Sequence, residues 1–119
     1  MFKKAHYAFI ILSCLFIGCA VSKPPYNPDR KFSPSELKED FDVMWQTYQE
    51  NHPSLYWYNS KDTIDYYFNL VYENLNDSLR SADFKKLLAF AIEKIKCGHS
   101  SIRNSKEQEK YDEKHRNII

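Results

Sequence analysis

Apolar residues recur along this chain at helical rather than alternating spacing. Leu37, Phe41, Met44, Trp45 and Tyr48 fall on one face of a 3.6-residue repeat, which predicts an amphipathic helix from residue 34 to about 51. Its start is marked by Ser33 as N-cap, Pro34 at the first helical position and Glu36 where a capping box needs it. Glu36, Glu39 and Asp40 lie in the early turns, where the helix dipole favours negative charge. Pro53 ends it, because the residue before a proline is pushed out of the α region. A second stripe, Ile64, Phe68, Val71 and Leu75, follows Ser60 as cap, with Tyr67 and Tyr72 on its flanks. After an interruption at "NDS", a third stripe, Phe84, Leu87, Leu88, Ala91, Ile92 and Ile95, follows Ser81 as cap. Lys94 and Lys96 suit its last turn, and Gly98 is expected to end it in the left-handed conformation.

The fold class this pattern predicts is mainly α, a small three-helix cluster over residues 33–103. "HSSIR", residues 99–103, is expected to begin a short strand. Residues 104–119 read as a charged tail of one or two fraying helical turns. Two glycines in the whole chain leave few positions for the turns of a hairpin-rich β fold.

The N-terminal segment follows different rules. "MFKK" is a short basic start, and "AHYAFIILSCLFIG" is an apolar run too short to span a bilayer comfortably. It closes on "LFIGC", which resembles the lipobox of bacterial lipoproteins. The expectation is a signal peptide over residues 1–18 and a lipid on Cys19, which makes the membrane a partner and places the chain in the bacterial cell envelope. A simple secretory signal and an uncleaved anchor are the other readings. Residues 19–32, with Pro24, Pro25 and Pro28, read as an extended tether. Losing Lys3 and Lys4 with the leader turns the formal charge from +1 to −1, which offers nucleic acid no electrostatic footprint. Cys14 would leave with the leader, so Cys97 has no partner for a disulfide.

Local motifs for chemistry are sparse. There is no phosphate-binding glycine loop, no CxxC and no HExxH, and no cofactor is predicted. Cys97 and His99 would make half a metal site at best, so no metal is predicted either. Asp62 and Asp65 occupy a dipole-favoured first turn and read as helix-start residues. Cys97 reads as an inert, buried thiol. Two readings stay open for "HPSLYWY". Tyr56, Trp57 and Tyr58 are stacking platforms for sugar or peptide beside His52, or they cap the helix cluster while His52 bonds to nearby backbone. Ser100 is poorly placed to partner His99, because neighbouring side chains on an extended segment point to opposite faces.

Three stretches in order, "LKEDFDVMWQTYQENHPSLYWY", "FKKLLAFAIEKIKCGHSSIR" and "SKEQEKY", together resemble the N-terminal helical region of lipoprotein-type members of the tail-specific, tricorn-like serine peptidases (serine-peptidase family 41). The resemblance spans roughly residues 33–112. It implies that His99 is the general base, which in that family works with a serine nucleophile on a later α/β domain and acts on polypeptide substrates. Cys97 stands where an acidic or small polar residue is frequent, and Ser100 where threonine is usual. Since no such domain precedes Ile119, the expectation is an N-terminal fragment of a lipid-anchored peptidase-like protein, incomplete alone, with a truncated junction in the tail. The alternative is a non-enzymatic envelope module that binds peptide, glycan or a protein through the aromatic loop. A further alternative is a complementing chain that carries the peptidase core.

Overall fold

The structure, a computed structural model, describes residues 24–116. The expected signal peptide, the expected lipid site Cys19 and the final "NII" lie outside the described residues. Strand β1 (Lys31–Phe32) leads into α1 (Pro34–Asn51); α2 (Lys61–Glu73), β2 (Leu79–Arg80), α3 (Ser81–Glu93) and α4 (Lys106–Arg116) follow. The described chain is mainly helical, with α1, α2 and α3 forming the cluster that the apolar stripes predict.

The predicted start of α1 is made by a reciprocal pair of hydrogen bonds. The Glu36 carboxylate accepts from the Ser33 N–H at 2.8 Å, and Ser33 Oγ accepts from the Glu36 N–H at 3.4 Å. The Ser33 backbone N–H first, and then the Ser33 hydroxyl donating to the same carboxylate at 2.8 Å, hold the Glu36 carboxyl below its usual range. The Ser60 hydroxyl caps α2 with a single bond, accepting from the Thr63 N–H at 3.3 Å. Beyond α2 the chain tightens, Leu75 N–H donating to Tyr72 O at 3.1 Å, and this last turn keeps Leu75 buried.

Leu37 and Phe41 of α1, Ile64, Phe68 and Val71 of α2, and Phe84, Leu88, Ala91 and Ile92 of α3 are buried together. The Trp45 ring stacks on Phe68 with centroids 4.0 Å apart, and Phe41 meets Phe68 edge-on at 6.1 Å. Among the described residues no helix is long and apolar enough to cross a membrane.

Four local expectations are corrected. Ser81 does not cap α3: Arg80 holds that position, paired antiparallel with Lys31, and its side chain makes no cap bond. Instead Asp83, in the first turn, takes Arg80 at 3.0 Å and Lys86 at 3.2 Å. Gly98 is not the left-handed residue, because α3 stops at Glu93 and Lys96 reverses the chain at φ 56°. Ile95 is the reason: three successive i→i+3 bonds, ending in Lys96 N–H to Glu93 O at 3.1 Å, bring its side chain into the core, and the turn must follow at once. No strand forms over 99–103. Residues 97–100 make a turn closed by Ser100 N–H to Cys97 O at 3.0 Å, and 101–105 are irregular. The strand pairing that does form uses the end of the expected tether, where Phe32 packs against the core opposite Leu79. The tail is a regular helix of 11 residues rather than a frayed turn or two, with Gln108 N–H donating to Ser105 Oγ at 3.2 Å.

Candidate functional site

Two stretches singled out in the sequence meet in space. Helix α1 ends at Asn51, and His52 adopts an extended conformation while its N–H still donates to Tyr48 O at 3.0 Å. That leaves the His52 imidazole half-buried, stacked on the Tyr48 ring at 5.5 Å and 20°. Across from it, the turn at 97–100 brings up Ser100. His52 Nε2 lies 2.8 Å from Ser100 Oγ, a contact that spans 48 positions of sequence. His52 Nδ1 accepts from the Ser54 N–H at 3.3 Å. An Nδ1 lone pair used in this way places the ring proton of a neutral imidazole on Nε2, so His52 donates to Ser100 Oγ.

The direction of that bond decides the chemistry. A serine is activated when an imidazole nitrogen accepts its proton. Here the imidazole N–H donates a hydrogen bond to the oxygen, so His52 orients Ser100 and does not activate it. The Ser100 hydroxyl hydrogen is then turned towards Cys97. The Cys97 thiol is held below its ordinary pKa by the His99 backbone N–H first, with the Ser100 and Ser54 hydroxyls and the Ser100 N–H adding to it, while partial burial opposes the shift. Cys97 is half-buried, so its expected full burial does not hold.

His99 is exposed beside this network, and its imidazole makes no hydrogen bond or ion pair among the described residues. His52, His99, Ser100, Ser101, Thr47, Tyr48, Asn51 and Pro53 line one shallow recess of about 260 Å³. The two histidines therefore share a recess, with His52 fixed and His99 free at its edge. Ser100 and Ser101 also line a second, larger groove of about 700 Å³ along α3.

The aromatic loop divides. Leu55 enters the core at 4% exposure, whereas Tyr56, Trp57 and Tyr58 are 37%, 76% and 63% exposed. These three rings therefore do not cap the helix cluster. Lys61 Nζ lies 5.9 Å from the Tyr56 ring centroid, and Asn59 Nδ2 donates to Lys94 O at 2.6 Å, tying the loop to the end of α3. Asp62 and Asp65 do not form a carboxylate pair: Asp65 binds Lys61 through one oxygen and leaves Oδ1 buried without a partner. Among the described residues no group of three or more His, Cys, Asp or Glu side chains could hold a metal ion.

The contact missed by sequence reasoning is the His52–Ser100 bond. Nothing in either local stretch announces it, since it exists only once the end of α1 and the turn after α3 are packed together. The chain matches no family model, no curated protein and no solved structure.

Proposed function

We propose that this chain is the helical region of an envelope-anchored, serine-peptidase-like protein that presents His99 as general base to a serine carried outside the described residues. One observation carries the reading: "NHP" and "CGHSS" pack together so that His52 fixes the turn at Ser100 and leaves the His99 imidazole unpaired at the edge of a recess. A base must hold a free lone pair within reach of the incoming hydroxyl, and His99 has one. On this reading Ser100 is not the nucleophile, because its oxygen accepts a hydrogen bond from the His52 N–H instead of donating its own proton to an imidazole. In the proposed reaction His99 takes the proton of the attacking serine as the carbon–oxygen bond forms, then returns it to the leaving amine as the peptide bond breaks. Lipid on Cys19 would hold the protein at the envelope membrane.

The test is isolation of the protein under native conditions from its own membranes, followed by labelling with a fluorophosphonate probe. The expected result is a labelled serine hydrolase, either in the same polypeptide or copurifying with it. Its peptide hydrolysis should fall by roughly 10⁴-fold or more on His99→Ala. An unlabelled chain isolated alone, or hydrolysis indifferent to His99→Ala, overturns the proposal.

A second reading is favoured by the exposure of Trp57 and Tyr58. A contiguous exposed apolar patch is the kind of surface that partners use. On this reading the chain is a non-enzymatic envelope module, and Tyr56, Trp57 and Tyr58 bind a peptide, a glycan or a protein. Alanine at all three would then abolish binding and leave the helical circular dichroism unchanged.

A further inference from the structure

The larger groove runs between α3 and the segment 97–104, and it meets the His99 recess at Ser100 and Ser101. Its floor is apolar: Ile92, Ile102 and the methyl of Ala89. Three lysines edge it, and they are not equivalent. Lys86 is paired with Asp83 at 3.2 Å. Lys85 Nζ donates to Asn104 Oδ1 at 3.0 Å and to Gln108 Oε1, both neutral, and has no carboxylate partner among the described residues. Lys96 makes no ion pair among the described residues and holds the strained left-handed position that turns the chain into the groove wall. Glu93 is the only carboxylate among the lining residues.

The wall itself is unusual. Residues 101–104 make no backbone–backbone hydrogen bond among the described residues, and three of the four, Ser101, Ile102 and Asn104, line the groove. A run of main-chain groups without backbone partners beside an apolar floor is complementary to another main chain. A small anion would use the lysines and leave the rest unmet.

We infer that this groove binds an extended acidic peptide. Its main chain pairs with residues 101–104, an apolar side chain lies on Ile92 and Ile102, and flanking carboxylates meet Lys85 and Lys96. The inference rests on the reading that the protein works on polypeptides, and it gives that reading a substrate class. A peptide running along the groove would be delivered to Ser100 and Ser101, beside His99. A cavity of about 700 Å³ lies within the range that holds a ligand of several residues.

The experiment is fluorescence anisotropy on the full chain in detergent with two labelled nonapeptides. One carries glutamates flanking a central leucine, and the other carries lysines at the same positions. The acidic peptide is expected to bind, more weakly as salt is raised, and the basic one to fail. Ala89→Trp, at an exposed helix position off the core, should fill the groove and abolish binding with circular dichroism unchanged. Lys96→Gln should weaken binding about tenfold, the loss expected for one charge-assisted contact. His99→Ala should bind as the parent does. This separates the groove from the catalytic reading: peptide binding with no copurifying hydrolase leaves the groove standing, and a hydrolase without peptide binding removes the groove alone. Equal binding of the basic peptide, indifference to Ala89→Trp in a folded protein, or no binding at millimolar peptide overturns the inference. So does lysine-dependent binding of anionic lipid vesicles in place of peptide.

Discussion

His52 links the two ends of the site, and the size of that link can be set. Truncation removes a hydrogen bond to Ser100, another from the Ser54 N–H and a stacking contact with Tyr48. Net contributions of this kind predict that His52→Ala costs about 1–2 kcal/mol in urea unfolding. His52→Gln keeps a terminal N–H donor and should recover part of the loss; equal losses would mean the bond to Ser100 contributes nothing. The same network reaches Cys97, whose thiol is lowered by donors from His99, Ser100 and Ser54. Iodoacetamide should therefore alkylate Cys97 with a pH midpoint below that of a free cysteine, about 8.5. Ser100→Ala should move the midpoint up; no movement would remove Ser100 from the account. The linkage has a definite sign. A thiol depressed in the folded state contributes stability above the unfolded pKa, and that contribution is lost as pH falls through the folded-state value.

At the scale of single elements, apolar spacing told most of the story, and the exceptions were set by neighbours. The cap of α1 was readable because Ser33, Pro34 and Glu36 act within four residues of one another. The start of α3 was not, because Arg80 is committed to β2 by Lys31, nearly fifty residues upstream. The end of α3 shows the competition most clearly. Glycine was the obvious left-handed residue, yet the demand to bury Ile95 turned the chain earlier and put Lys96 in that conformation. This predicts opposite outcomes for two simple variants. Lys96→Gly should be neutral or stabilising by up to about 1 kcal/mol, since removing the Cβ strain outweighs or matches the extra freedom of the unfolded chain. Gly98→Ala should be tolerated within about 0.5 kcal/mol, because an added Cβ meets nothing within 4 Å and the glycine has no positive φ. A large loss for Gly98→Ala in thermal melts would restore glycine as the helix stop.

Across the described molecule, stability is unevenly distributed. Helices α1, α2 and α3 share one core around Phe68, whereas α4 buries no residue. Its contacts include Lys85 to Gln108 and, just before the helix, to Asn104, and a ring contact between Tyr26 and Tyr111 at 5.5 Å. Polar and edge contacts at a surface contribute little compared with burying an aromatic side chain. The candidate site straddles this divide: His52 stacks on Tyr48 at the margin of the core, while the 101–104 wall, pinned to the core by Ile102, leads from α3 to the unburied α4. That placement was not readable from the sequence, where the charged residues 104–116 show only that no apolar face exists, not where the helix docks. Hydrogen exchange is the direct check. Amides of α4 should exchange well before those of α1–α3, and Lys85→Met should speed α4 further with the core protection unchanged. Protection of α4 equal to that of α3 would mean that it unfolds with the core, and that the groove wall is as rigid as the histidine beside it.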